Sequence, residues 1–340
     1  MNASQVLFAA CAALCAGCVL FGQTSSTPAN TSQASAPASQ APTPASQAPA
    51  PASTSDPFAK IPAGQIVLKK PDGSVDATYR YRLVEPAAAS IADPGARVPL
   101  VVFLHGSGER GDDNRAQLVH FAGACASEEF QAKAPCYVLA MQCPAGETWC
   151  AIDIKAMREK GESPKFAKEP TRAMRALIAA IDDVVAAKAV DPTRVYLTGL
   201  SMGGFGAFDL AARRPELFAA VVPICGGGDP ATAATVARVP FYIVHGTDDP
   251  VVPVALSRTM RESIAAAAAE AARVDQAKVR EKARGAADLP KPMPKRAPNP
   301  MYREYDKVGH DSWTPAYRFG DDGVLDWMFA QRTGAWGGTR

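Results

Sequence analysis

Residues 197–204 read LTGLSMGG, with the β-rich run RVYLT ending inside them and the helix-like run GGFGAFDLAAR continuing from them. A strand must turn into a helix within about three residues, and a serine sits in the turn between two glycines. Such a step needs glycine on both sides, because any Cβ there meets neighbouring backbone. It holds the serine strained, with its hydroxyl exposed at the end of a strand. A helix N-terminus directly behind it favours negative charge. The competing reading is a tight connection with no reactivity.

The rest of the pattern fits one sheet around that step. Gln65–Lys69 and Thr78–Val84 read as two antiparallel strands, the second alternating Tyr79, Tyr81 and Leu83 with arginines. Val98–Leu104 (VPLVVFL) and Tyr137–Met141 are near-continuous apolar runs, as expected of strands buried on both faces. Thr171–Lys188 has helical spacing through Met174, Leu177, Ile178, Ile181, Val184 and Val185. Arg194–Thr198 reads as a strand, Gly203–Arg213 as a helix, and Phe218–Ile224 and Phe241–His245 as strands. A helix begins at Ala255, Met301–Asp306 is the last strand, and Asp322–Arg332 the last helix. Strands alternating with helices predict an α/β fold: a mostly parallel central sheet flanked by helices, with an antiparallel N-terminal hairpin. Reactive loops then lie at the carboxyl ends of the strands.

The globular pattern spans 58–340. Two stretches inside it look inserted, near 152–170 and 264–300. Both read as solvated surface excursions, with a lid or substrate-facing arm as the alternative. Before it, Val6–Phe21 is an uncharged apolar run, shorter than the roughly 20 residues of a comfortable span. Residues 1–22 read as an export signal, and the LCAGC at 14–18 resembles a bacterial lipoprotein signal with Cys18 as the lipidated residue. A plain cleaved signal or an uncleaved anchor are the alternatives. Residues 23–57 are almost all Ala, Pro, Ser, Thr and Gln and read as a flexible tether. The expected location is outside the cytoplasm: periplasmic, cell-surface or secreted. Membrane contact is expected only through that lipid anchor.

A net charge of +2 gives no push toward nucleic acid. The histidines are His105, His120, His245 and His310, too scattered for a metal cluster, and no H-E-x-x-H or paired C-x-x-C motif occurs. No metal or cofactor is expected. Five cysteines follow the apolar run: Cys125, Cys136, Cys143, Cys150 and Cys225. An export signal permits disulfides. Cys143 and Cys150, flanking a short loop, are the first candidate pair; five reduced thiols are the alternative.

A serine nucleophile needs a base in hydrogen-bond reach, and that base needs an acid to orient it. The chain order that goes with this turn is serine, acid, histidine. Only His245 and His310 follow Ser201. His245 ends an apolar run and reads as structural; His310, in KVGHDSW after the last strand, reads as the base. HGTDDPV offers Asp248 and Asp249, and Asp249, immediately before Pro250, is the choice for the acid. Oxyanion donors are expected from the backbone N–H of Met202, after the nucleophile, and of Ser107 in LHGSGERG.

Together, FLHGSGERGDDN, GLSMGGFGAFDLAARRPELFAAVVPICGGGDP, HGTDDPVVPV and GHDSW resemble the α/β-hydrolase superfamily. Within it they resemble the bacterial esterase and predicted-peptidase group related to feruloyl esterases, acetyl xylan esterases and polyhydroxybutyrate depolymerases. The resemblance covers roughly Val98 to Trp327 apart from the inserts. It implies Ser201, Asp249 and His310 as the catalytic triad, and a loop of Gln142-Cys143-Pro144 and Trp149 near the pocket. Trp149 and Trp313 are then candidates to stack on a sugar or aromatic acyl group, against a reading of ordinary packing. The long basic insert departs from the group, which runs directly from the helix after the acid into the strand before histidine. The leading expectation is a serine hydrolase cleaving a small-molecule or polysaccharide ester. Alternatives are a prolyl-oligopeptidase-like peptidase, a lipase or polyester depolymerase, and a non-catalytic surface binding protein on a hydrolase scaffold.

Overall fold

The computed structural model describes residues 58–87, 91, 93, 95–153, 157, 159–160, 162–283 and 299–333. The expected signal, Cys18 and the tether lie outside the described residues, as does the 284–298 part of the second insert.

Eight strands form one sheet: β1 (Ala63–Lys69), β2 (Val75–Val84), β3 (Val98–Leu104), β4 (Tyr137–Met141), β5 (Val190–Leu200), β6 (Ala220–Ile224), β7 (Tyr242–Gly246) and β8 (Met301–Tyr305). Their order is β1-β2-β4-β3-β5-β6-β7-β8. β1 and β2 pair antiparallel, as do β2 and β4. Every pairing from β4 through β3 to β8 is parallel. This is the expected mostly parallel sheet with an N-terminal hairpin. The helices are α1 (Glu128–Lys133), α2 (Arg172–Ala187), α3 (Met202–Arg213), α4 (Ala233–Val236), α5 (Val254–Ala283), α6 (Trp313–Ala316) and α7 (Leu325–Ala330).

The two faces of β3 show why its run is apolar throughout. All seven residues are buried. Leu100, Val102 and Leu104 join one core cluster, with Met174, Leu177 and Ile181 of α2 and Phe208 of α3. Val101 and Phe103 join the other, with Phe121, and with Leu325 and Met328 of α7. Alternating side chains thus enter opposite layers. Each such side chain, fully buried, contributes about 1.5–3 kcal/mol relative to exposure.

Some boundaries differ from those expected. β5 begins at Val190 rather than Arg194, because Val190 pairs with Val98 across a register shift. His310 lies in the loop between β8 and the short helical turn α6, which begins at Trp313. The five cysteines are all buried free thiols, so the Cys143–Cys150 bridge is absent. Cys143 packs in the α2 layer, whereas Cys150 belongs to a separate small cluster with Met157, Phe205, Val252 and Leu256.

The first insert is not a loose excursion where it is described. Arg213 of α3 donates to Ala167 O at 2.7 Å and to Lys168 O at 2.9 Å. Phe166 N–H donates to Asp229 Oδ2 at 3.1 Å, and the Thr171 hydroxyl lies within hydrogen-bond reach of the carbonyls of Thr148 and Trp149. The second insert begins as the long α5, whose outer part is largely exposed.

Candidate active site

Four loops at carboxyl ends of parallel strands meet around the β5–α3 turn. Ser201 has φ 53° and ψ −119°, a region L-residues rarely adopt. The turn is crowded enough to need its glycines. A Cβ on Gly203 would lie 2.0 Å from Leu104 O, and one on Gly199 2.4 Å from Gly203 O. Ser201 N–H donates to Ile224 O at 3.0 Å and also approaches Cys225 Sγ at 3.3 Å. The strained residue is therefore held from β6 as well as from its own strand.

Ser201 Oγ lies 2.9 Å from His310 Nε2, and His310 Nδ1 lies 2.8 Å from Asp249 Oδ2. With Nδ1–H donating to the carboxylate, Nε2 is left as an acceptor for the serine hydroxyl. Asp249 follows β7 and its side chain is fully buried. Its Oδ1 accepts from the N–H groups of Val251 at 2.8 Å and Val252 at 3.0 Å. Burial alone would raise its pKa. The hydrogen bonds from His245, His310, Val252 and Val251 outweigh that and hold it well below the usual carboxylate range. Asp248 is exposed at its side, with Oδ1 accepting from the Thr247 hydroxyl.

His245 does more than end a strand. It is fully buried, with Nε2 3.2 Å from Asp249 Oδ2 and 3.0 Å from Val252 O, and Nδ1 2.7 Å from Ser257 Oγ. Asp249 is therefore gripped by two histidines. The signal was present in the sequence as the four-residue spacing of His245 and Asp249, but spacing in a loop does not reveal that the two side chains meet.

The loop after β3 is anchored from below by His105. Its Nε2 accepts from Cys143 N–H at 2.9 Å, so Nδ1 carries the proton and donates to Gly106 O at 2.7 Å. Burial lowers its pKa to about 4, against the Gly106 bond and helped by the nearby Arg110 charge, so it is neutral. Arg110 Nε donates to Ser107 O at 3.0 Å. Gln142 donates to Glu109 O and to Asp113 Oδ1 and accepts from Asn114 N–H, bracing the same loop from β4.

A cavity of about 190 Å³ opens beside the serine. Ser201, Met202 and Ser107 border it, so both expected oxyanion positions reach the same space. Arg110 and Thr148 add polar lining; Cys150, Ile152, Met157, Phe205, Val251 and Val252 make the remainder apolar. No sequence signal marked these residues as one lining, because they come from separated parts of the chain.

Trp149 is a core residue rather than a stacking platform. It is fully buried, its Nε1–H donates to His105 O at 3.0 Å, and its ring packs edge-on against the His105 ring, so it cannot stack on a substrate. Trp313 lies beside the site: its ring is edge-on to His310 at 5.4 Å and to His120 at 5.3 Å, outside the cavity lining. Among the described residues, Cys225, Asp249 and His310 form a group whose donor atoms lie within 4.8 Å of one another. The Asp249–His310 hydrogen bond already engages two of these, and burial pushes the Cys225 thiol far up, disfavouring the thiolate a metal would need.

With this geometry, the chain has the α/β-hydrolase fold. A sequence model of the dienelactone hydrolase family matches residues 144–275. A solved thermostable esterase superposes with a TM-score of 0.60 at 32% identity, covering 79% of this chain and 63% of that one. The chain is 28% identical over 179 residues to the protein named "Putative esterase NocK" from Nocardia uniformis subsp. tsuyamanensis, covering 52% of this chain and 46% of that one. A 47-residue stretch is 47% identical to poly(3-hydroxyalkanoate) depolymerase C of Paucimonas lemoignei, covering 14% of this chain and 11% of that one. The chain thus spans less than half the length of these two curated relatives and less than two thirds of the solved esterase.

Proposed function

We propose that this chain is a serine hydrolase of carboxylic esters. The observation that carries the reading is the unbroken hydrogen-bonded line from Ser201 Oγ through His310 to Asp249 Oδ2. Ser201 Oγ attacks the ester carbonyl carbon while His310 Nε2 takes its proton. Asp249 stabilises the imidazolium and keeps its orientation. The backbone N–H groups of Met202 and Ser107 receive the oxyanion. The tetrahedral intermediate collapses, the C–O bond to the alcohol breaks, and His310 returns the proton to the leaving oxygen. Water then attacks the acyl-enzyme with His310 again as base. Residues 1–22 and 23–57 fit the same reading as an export signal and a tether, which would present the domain to ester substrates outside the cytoplasm, acylated polysaccharide among them.

The test is hydrolysis of p-nitrophenyl esters by the protein and by Ser201→Ala, with fluorophosphonate labelling of both. Activity and labelling in the parent, and loss of at least about a thousandfold in activity in the folded variant, are expected. A folded parent that neither hydrolyses the esters nor takes the label would overturn the reading.

A further inference from the structure

The insert that reads as a surface excursion in the sequence supplies the wall of the reactive cavity. Met157 is 3% exposed and packs with Cys150, Phe205, Val252 and Leu256, with Ile152 and Phe166 against them. Met157 and Ile152 both line the cavity that Ser201 opens on. The chain beyond them is tied down by the Arg213 bonds to the carbonyls of Ala167 and Lys168 and by Phe166 N–H on Asp229. Arg213 is itself paired with the buried Asp209 at 3.0 Å. Met157 therefore sits between a fixed cavity floor on α3 and a fixed stretch of insert.

The cavity's size and lining define what fits. At about 190 Å³ it holds roughly six water-sized groups, at about 30 Å³ each. The lining around Met157 is apolar, and methionine's unbranched, polarizable side chain adapts to an occupant's shape. The alcohol part of an ester leaves toward solvent with the His310 proton, whereas the acyl part stays attached to Ser201. A largely apolar cavity beside Ser201 is thus suited to the acyl chain.

We infer that Met157 and Ile152 act as an acyl-length ruler that selects linear or compact apolar acyl groups of about four to six carbons. This rests on the ester-hydrolase reading above. Acetyl leaves most of the space empty, and chains well beyond six carbons meet the Met157 wall. In a hydrophobic pocket one methylene changes transition-state binding by about tenfold or more, so the profile against chain length is a sensitive readout.

The experiment measures kcat/KM of the full chain on p-nitrophenyl esters from acetyl to dodecanoyl, beside Met157→Ala, Met157→Trp and Ile152→Ala. The parent is expected to peak at about four to six carbons and to fall at least about tenfold by ten. Met157→Ala should move the peak about two carbons longer, and Met157→Trp should move it to acetyl. Should Met157→Ala fail to fold, Ile152→Ala carries the same prediction at a half-buried position. Active variants whose chain-length profiles superimpose on the parent's would overturn the ruler and leave the ester reading intact. A folded parent with no activity on any ester would overturn both.

Discussion

The indole Nε1–H of Trp149 donates to the carbonyl oxygen of His105 at 3.0 Å, and through it a core tryptophan fixes the loop that carries Ser107. Both residues are fully buried, where an unpaired carbonyl costs about 1–3 kcal/mol. Trp149→Phe keeps most of the packing and deletes the donor. It is expected to lower stability by about that amount and to lower kcat several-fold with little change in KM, since the oxyanion donors act in the transition state. Urea denaturation and steady-state kinetics on one ester check both halves. A kcat unchanged beside a measured stability loss would reduce Trp149 to packing alone.

His105 makes stability depend on pH in a defined window. Its pKa is lowered to about 4 in the fold, against about 6.5 in an unfolded chain. Between these values the unfolded chain holds a proton that the native chain does not. Stability is therefore complete above about pH 6.5 and declines as pH falls toward 4, by on the order of 3 kcal/mol in all. Urea midpoints at pH 7.5 and 5 for the parent and for His105→Gln provide the comparison. The variant is expected to be less stable at pH 7.5 and to lose visibly less between the two pH values. Parallel declines would place the acid sensitivity elsewhere.

The sheet was legible because its strands are short apolar runs with clear ends; β3 and β4 fall at the residues the pattern marks. The Ser201 turn was legible because its glycines are required by contacts under 3 Å. His310 followed from chain order and Asp249 from its place before Pro250, and the structure places His310 within hydrogen-bond reach of both Asp249 and Ser201. What the pattern hid depends on three-dimensional meeting. A tryptophan near the site reads equally as stacking platform or core, and only its full burial separates the two. His245 and Arg110 act through partners 4 and 3 residues away (Asp249 and Ser107), Met157 shares a cavity with Ser201, 44 residues on, and one-dimensional periodicity carries no record of side chains converging from loops.

Asp249 and Asp248 are adjacent in sequence and opposite in environment. The Asp249 carboxylate is buried between His310 and His245, whereas Asp248 faces solvent beside Thr247. Asp249→Asn removes the charge that stabilises the His310 imidazolium and puts an N–H₂ group where two histidines need acceptors. A loss of about 10⁴ in kcat is expected, as for the equivalent change in a serine protease triad. Asp248→Asn should stay within about twofold. His245→Gln, which withdraws one partner from Asp249 Oδ2, should fall between them. Kinetics on a single p-nitrophenyl ester rank the three, and a larger loss from Asp248→Asn than from Asp249→Asn would reverse the assignment of the acid.

Glycines near Ser201 should divide sharply by what a methyl group meets. At Gly203 an added Cβ would lie 2.0 Å from Leu104 O and 2.8 Å from His105 O, all backbone of the strand and loop that carry Ser107. Those atoms cannot retreat without parting β3 from α3. At Gly108 nothing lies within 4 Å of an added Cβ. Gly203→Ala is expected to destabilise by more than about 3 kcal/mol and to give little soluble protein, beyond the range of ordinary overpacking. Gly108→Ala should fold with stability within about 0.5 kcal/mol of the parent, as an exposed substitution without new contacts does. Soluble yield and thermal midpoints of the two variants test the contrast. A Gly203→Ala protein with a parental midpoint would mean that the β5–α3 turn is looser than its contacts require.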